Sequence, residues 1–337
     1  MPRASLLVFI AAAVFALFAI LASYTTLFAS ITASPPLRTH FLRTMVNSSS
    51  LGDVYFLSHG GPPSVEQTES PPYKAWRKFG KTITANPPKG IVVVSAHWES
   101  DQGLNTVNSN ILNPLIYDFY GFPKHFYQLK FASKADPELQ EKVVGALKEG
   151  GIPLSRADRG LDHGVWIPFK AAFGEDTTFP LVQVSLPASA DPVESIKLGQ
   201  ALSKLRAQGY AIVGTGQVVH NLRDLCEFNL DLDKLSSTEM LLVSGKGLPY
   251  TGPFLKDTSK ALSSSDYVSA TLDLTKHPLY KKAHPTDEHF FPLLVAVGAT
   301  SSSDQIEEIY KGVVDIGGRT VENDGLGWGM WRWTSAA

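Results

Sequence analysis

Short apolar runs alternate with longer helical patterns from residue 52 onward. The apolar runs predict four strands, at Val54–Leu57, Ile91–Val94, Leu181–Leu186 and Ala211–Val213. Because Ile91–Val94 is apolar at every position, it is typical of a strand that is buried on both faces of a parallel sheet.

Helical spacing of apolar residues predicts three helices, at Tyr73–Thr84, between Asp136 and Gly150, and at Val193–Gln208. Asp136 is a good helix cap and the following proline suits a first helical turn. Phe291–Val297 fits either a strand or a helix. This alternation predicts one α/β catalytic domain over residues 52–337, with a mostly parallel or mixed central sheet flanked by helices.

Residues 231–265 fit this alternation least well. They are rich in Ser, Asp, Gly and Lys, and no helical or strand period persists through them. We therefore expect a surface insertion there.

The first 34 residues are interpreted separately from the domain. From Leu6 to Ala22 no residue is charged and nearly all are apolar. This run is longer than the usual hydrophobic region of a signal peptide and slightly short of a membrane-spanning helix. A signal anchor and a cleaved signal peptide both remain open, with residues 35–51 as a linker. The protein would then be membrane-anchored or secreted, whereas a start at Met45 would make it cytoplasmic.

Composition narrows the chemistry. The apolar fraction of 44% and the charged fraction of 18% are those of an ordinary globular protein. A net charge of -2 gives no electrostatic reason to expect a nucleic-acid partner. The single cysteine, Cys226, allows no intrachain disulfide and no cysteine-based metal site, so a transition metal would need His, Asp or Glu ligands. Composition does not indicate an oligomeric state.

Histidines mark the ends of the predicted strands. Five of the nine lie at a strand end or in a loop rich in Gly and Pro, namely His59, His97, His163, His220 and His289. Side chains at the carboxyl ends of strands in an open α/β sheet converge on one crevice. Imidazole is a good ligand for Fe(II) and Zn(II), and three such ligands leave open positions on the ion. The other four are interpreted as structural or surface residues: His40, His125, His277 and His284.

Five motifs give these histidines a family context. They are Ser-His-Gly-Gly-Pro at 58–62, Ser-Ala-His-Trp at 95–98, Gly-Leu-Asp-His-Gly-Val-Trp at 160–166, Val-Val-His-Asn-Leu at 218–222 and Glu-His-Phe-Phe-Pro-Leu-Leu at 288–294. In this order they are highly specific, and the chain resembles the class III extradiol ring-cleavage dioxygenases, in particular the DOPA 4,5-dioxygenase branch.

The resemblance implies roles for all five histidines. His59, His97 and His289 match the family's metal ligands. His220 matches the acid/base beside the metal, with a fourth ligand as the alternative, and His163 matches a histidine near the substrate and oxygen. The resemblance also implies non-haem Fe(II), with Zn(II) as an alternative occupant, and a small catechol and O2 as substrates.

Several assignments keep alternatives. Glu288 precedes His289 and is the second candidate for the third ligand. Asp162 could orient His163 or cap a helix or turn. We expect Gly214-Thr215-Gly216 to form a loop that brings His220 to the site, and Asn221 to hold the His220 ring.

Two other functions also fit a histidine site. One is a zinc hydrolase in which His220 is the general base for a metal-bound water. The other is a non-catalytic relative that keeps the fold and a metal.

Overall fold

Eight strands form one mixed sheet. They are β1 (Val54–Ser58), β2 (Ile91–Glu99), β3 (Asn105–Asn108), β4 (Leu154–Ala157), β5 (Leu181–Leu186), β6 (Ala211–Gly216), β7 (Asp304–Val314) and β8 (Leu326–Ser335). Their order across the sheet is β4-β3-β5-β2-β6-β1-β8-β7. The neighbours β5, β2, β6 and β1 pair in parallel, whereas β8 runs antiparallel to both β1 and β7. The four predicted strands are therefore confirmed as the parallel centre of a mixed sheet.

The computed structural model describes residues 51–100, 105–188, 191–225, 248–315, 317–321 and 325–335. The predicted leader, nearly all of the predicted linker and His40 lie outside these residues. Within the described ranges, no helix is long and apolar enough to cross a membrane.

Nine α-helices are present in the described residues. They are α1 (Pro71–Ala85), α2 (Pro137–Glu149), α3 (His163–Phe173), α4 (Pro192–Ser203), α5 (Leu222–Leu225), α6 (Thr251–Leu262), α7 (Tyr267–Asp273), α8 (Tyr280–Ala283) and α9 (Phe291–Gly298). Short 3-10 helices lie at Pro62–Val65, Lys124–Gln128, Arg206–Gln208 and Leu274–Lys276. The three predicted helices are confirmed as α1, α2 and α4, and the ambiguous segment after His289 is a helix. Asp136 caps α2 through a hydrogen bond from the Glu138 amide.

The two faces of the sheet bury separate apolar cores. Alternate residues of β2 point to opposite sides, so that Val92 and Val94 join one core while Ile91 and Val93 join the other. The first core is covered mainly by α2, α4, α6 and α9, and the second by α1 and α3. This explains why the central strands are apolar at nearly every position.

Part of the predicted surface insertion is instead core structure. Residues 251–262 form α6, in which Phe254 is 0% exposed and Leu255 is 5% exposed. The prediction is wrong there because the apolar residues occupy one helical face, while the abundant Ser, Lys and Asp occupy the other. Residues 231–247 lie outside the described part of the chain.

Candidate metal centre

The five predicted histidines lie at the carboxyl edge of the parallel strands. His59 directly follows β1, and His220 lies a few residues beyond β6. His163 is the first residue of α3, and His289 lies in the turn before α9. His97 is inside β2 rather than after it, because β2 continues past an irregularity to Glu99, which pairs with Leu186. The convergence expected from an open α/β sheet is thus present.

A loop at Gly214-Thr215-Gly216 was predicted, and this prediction is wrong. These residues pair in register with β1 and β2 as the last half of β6. Their small size has a different use. A Cβ added at Gly216 would lie 2.2 Å from the carbonyl oxygen of His289, so glycine lets the His289 turn approach the strand.

Three imidazoles face one another at the centre of the site. The Nε2 atoms of His59 and His97 are 3.0 Å apart, and the candidate ligand atoms of His59, His97 and His289 all lie within 4.8 Å of one another. Two hydrogen bonds hold the main chain of His59. Its amide donates to the Gly216 carbonyl at 3.0 Å, and the His59 carbonyl accepts from Gln217 Nε2 at 3.0 Å. The three rings can therefore converge on one ion.

Glu288 contacts the ring of its neighbour. Its Oε1 atom lies 2.9 Å from His289 Nδ1 and also accepts a bond from Thr286 Oγ1 at 2.9 Å. Because a carboxylate only accepts, this contact places the proton on Nδ1 and leaves Nε2 of His289 unprotonated. A carboxylate in this position orients a metal-binding imidazole and raises its basicity.

The environment keeps the central imidazoles neutral. Burial, followed by the neighbouring histidines, lowers the pKa of His59 and of His289 well below the ordinary value. Burial and His163 lower the pKa of His97 to about 3, although Asp118 opposes this shift. Neutral imidazole is the form that binds a metal ion, so the site is prepared for a cation.

His220 stacks on His289. The two ring centroids are 3.5 Å apart and the planes differ by 9°. Burial, and then His163, lowers the pKa of His220 to about 4. Its amide donates to the Ala283 carbonyl at 2.9 Å, which ties its backbone to the end of α8.

Asn221 does not hold the His220 ring, contrary to the prediction. Its Nδ2 atom donates to the Lys282 carbonyl at 2.8 Å, and its Oδ1 atom accepts from the Asp224 amide at 3.1 Å. Asn221 stands at the N-cap position of α5, which explains the bond from Asp224. With the bond to Lys282, both polar ends of its side chain are used.

Asp162 neither orients His163 nor caps α3 through its side chain. It is fully buried, and its carboxylate accepts bonds from Ser95 Oγ and Gln183 Nε2. The predicted orienting role is therefore wrong. Asp162 does occupy the N-cap position of α3, but its side chain makes no capping bond because Ser95 and Gln183 already bind the carboxylate.

The residue that contacts His163 is Asp118, which sequence reasoning missed. Its Oδ1 atom lies 2.9 Å from His163 Nδ1 and accepts a bond from the His163 amide at 3.0 Å. The one available signal was an acidic residue between the aromatic residues Tyr117 and Phe119, since a carboxylate drawn partly out of water by aromatic neighbours favours a polar partner.

The remaining described histidines lie outside this cluster. His125 pairs with Glu66 and His277 pairs with Asp257, both at partly exposed positions. His284 is completely buried, and its Nε2 atom lies 2.7 Å from the Val218 carbonyl.

Comparisons with known proteins agree with this geometry. Residues 53–318 match the family model of the catalytic LigB subunit of aromatic ring-opening dioxygenase. A 4,5-DOPA dioxygenase extradiol-like protein of Schizosaccharomyces pombe is 42% identical over 217 residues, which are 64% of this chain and 69% of that protein. A 4,5-DOPA dioxygenase extradiol of Beta vulgaris is 33% identical over 269 residues, covering 79% of this chain and 94% of that protein.

A solved structure shares the fold. It is the crystal structure of an uncharacterised protein from Escherichia coli K12, with a TM-score of 0.59 and 23% sequence identity. The alignment covers 83% of this chain and 99% of the other. At this identity the likeness concerns the fold alone.

Proposed function

Since this chain belongs to the LigB family of extradiol ring-cleavage dioxygenases, we propose that it opens the ring of a small catechol such as DOPA, with O2 and a non-haem Fe(II). The substrate class rests on the relatives from Schizosaccharomyces pombe and Beta vulgaris, both named for DOPA. The observation that supports the proposal most is the set of three converging neutral imidazoles.

The donor set fits a divalent transition metal. His59, His97 and His289 would hold it, because their candidate ligand atoms lie within 4.8 Å of one another and burial keeps them unprotonated. Three protein ligands leave coordination positions open. Fe(II) bound there would supply a redox-active Lewis acid for the reaction of a catechol with O2.

His220 is the proposed acid/base. It stacks on His289 at 3.5 Å, and burial keeps its ring neutral at neutral pH. One ring nitrogen can therefore accept the proton of a catechol hydroxyl and return it to the opened product. We prefer this role to that of a fourth ligand, because three imidazoles already suffice to hold the ion.

Aromatic side chains provide a surface for the substrate ring. Phe119 lies 5.9 Å from His163 and 5.7 Å from Phe122, measured between ring centroids. Phe122 in turn is 3.7 Å from the position that a Cβ would take at Gly61, in the loop after His59. An aromatic substrate can pack against the rings of Phe119 and Phe122, and these two rings help to exclude water from the histidines.

Zinc is the second candidate occupant, because three imidazoles form a donor set that zinc accepts readily. With zinc, the same site would support a hydrolase in which His220 is the general base.

Oxygen uptake distinguishes these proposals. Metal-free protein is loaded anaerobically with Fe(II) or with Zn(II), and each form is given DOPA and heavy-oxygen-labelled O2. We expect uptake with the Fe(II) form, equal amounts of O2 and DOPA consumed, and both labelled atoms in the ring-opened product. Ester hydrolysis by the Zn(II) form, with no uptake by the Fe(II) form, would support the hydrolase instead.

A further inference from the structure

We propose that Asp118 is a positioning residue that fixes the ring orientation and tautomer of His163 and supports the orientation of His97. The inference rests on the proposed function, because it gives these two histidines an oriented role at the ring-opening site. The carboxylate contacts both residues, and each of its oxygens faces a different imidazole.

The first oxygen holds His163 at two points. Oδ1 of Asp118 accepts the backbone amide at 3.0 Å and lies 2.9 Å from Nδ1 of the same residue. One bond fixes the backbone at the start of α3 and the other fixes the ring, so little freedom is left for side-chain rotation. Since a carboxylate can only accept, Nδ1 carries the proton of this bond, and in the neutral ring this leaves Nε2 as the acceptor.

The second oxygen faces His97. Oδ2 of Asp118 is 3.6 Å from His97 Nδ1, while Nε2 of that ring points to His59 Nε2 at 3.0 Å. A negative charge on the Nδ1 side favours a proton there and leaves Nε2 unprotonated for a metal. One carboxylate therefore favours the same tautomer in two histidines of the site.

The loop around Asp118 is built to hold it in place. The carbonyl of Ile116 accepts a bond from Trp166 Nε1 at 3.0 Å, and its amide donates to the Leu161 carbonyl at 2.8 Å. On the other side, the Phe119 carbonyl accepts a hydrogen bond from the Tyr127 hydroxyl group at 3.3 Å. These bonds fasten both flanks of Asp118 to the second core.

Asp118 also supplies the side-chain cap at the start of α3, through the bond that its Oδ1 atom accepts from the His163 amide. Asp162, at the N-cap position of α3, makes no capping bond with its side chain. Asp118 therefore combines the helix cap with the orientation of the ring.

The test separates an orienting role from a simple cap. In Asp118→Asn, the amide oxygen can still accept the His163 backbone bond, but the charge is lost and an NH2 group can face His97. Asp136→Asn is the matched control. Asp136 caps α2 by accepting a bond from the Glu138 amide, and it is not a residue of the metal centre. Fe(II)-loaded proteins are compared for kcat and KM with DOPA, and zinc-loaded proteins for imidazole nitrogen NMR signals.

We expect Asp118→Asn to lower kcat about 10–100-fold, as for other residues that orient the histidines of a metal site. The KM should change little, and the thermal midpoint should fall no further than in Asp136→Asn. In zinc-loaded protein, the parent His163 should show a protonated Nδ1, and this population should fall in Asp118→Asn. Asp118→Glu, which keeps the carboxylate, should recover part of the lost kcat.

Equal kcat values and unchanged His163 signals in the two Asn variants would reduce Asp118 to a helix cap and overturn the proposal. If Asp118→Asn does not fold, the parent protein still decides: an unprotonated Nδ1 on His163 contradicts it. The NMR result does not depend on DOPA turnover. Failure of the proposed function would therefore be seen separately, as a parent enzyme without oxygen uptake.

Discussion

Buried histidines occur in two regions of this molecule, and their contacts differ. His284 is 0% exposed and its Nε2 atom lies 2.7 Å from the Val218 carbonyl, among the rings of Phe254, Tyr280 and Phe290. His59 and His289 are almost as buried, at 3% and 4% exposure, but their rings face other imidazoles. Burial lowers the pKa in both regions. Depressed pKa values therefore do not identify the functional site; convergence of imidazole nitrogens does.

Removal of a central imidazole should give the largest difference between the regions. We expect His97→Ala to lose bound metal and to reduce DOPA-dependent oxygen uptake to background, because the remaining pair of ligands holds the ion weakly. His284→Gln is the matched variant and should retain metal. Metal analysis of both purified proteins checks this. Equal metal loss in the two variants would mean that His97 holds the metal no more directly than His284 does.

Replacement of His220 should separate metal binding from proton transfer. We expect His220→Ala to keep near-normal metal content and to slow turnover by roughly 10²–10⁴-fold, the range for a lost acid/base group. Bound iron and oxygen uptake are measured on one sample. Metal lost in step with activity would instead make His220 a ligand.

A single methyl group should test how tightly the metal centre is packed. A Cβ at Gly164 would lie 2.5 Å from Ser95 Oγ and 2.9 Å from His59 Cε1. We expect Gly164→Ala to lower the free energy of unfolding by about 1–3 kcal/mol through overpacking. In α2, a Cβ at Gly145 meets nothing within 4 Å, so Gly145→Ala should stabilise by up to about 1 kcal/mol. Urea titrations measure the free energy of unfolding of both variants. A Gly164→Ala protein as stable as the parent would show that the neighbouring side chains can move to accommodate the methyl group.

The last comparison concerns acid stability in the His284 region. Burial lowers the pKa of His284 to about 3, from 6.5, so between these values the unfolded chain binds the additional proton. Its contribution to stability is therefore present above pH 6.5 and is lost as pH falls toward 3, at up to about 1.4 kcal/mol per pH unit. His284→Gln should flatten this slope in denaturant titrations across the range. An unchanged slope would mean that His284 is protonated in the folded protein.

The sequence predicts the four central parallel strands and the five histidines beside them because each depends on local pattern, whereas β3, β4, β7 and β8 were not predicted. The apolar run Ile91–Val94 predicts a strand that is buried on both faces. His59 and His220 follow other such strands by a few residues. Asp118 could not be placed this way, because its segment has no helix or strand period. Its contact with His163 joins residues far apart in sequence, and the loop is held by a bond from the equally distant Trp166. The ring-orienting roles expected of Asp162 and Asn221 failed for a related reason. Each side chain has several possible partners nearby, and only the packed structure decides among them.

We propose that His59, His97 and His289 together hold the ion at which the ring is opened. Anomalous diffraction from crystals of the Fe(II)-loaded protein would locate that ion. We predict one peak bound by Nε2 of these three residues, with the Glu288 carboxylate still on Nδ1 of His289. A peak bound by the Glu288 carboxylate, or one enclosed by His97, Asp118 and His163, would contradict the account.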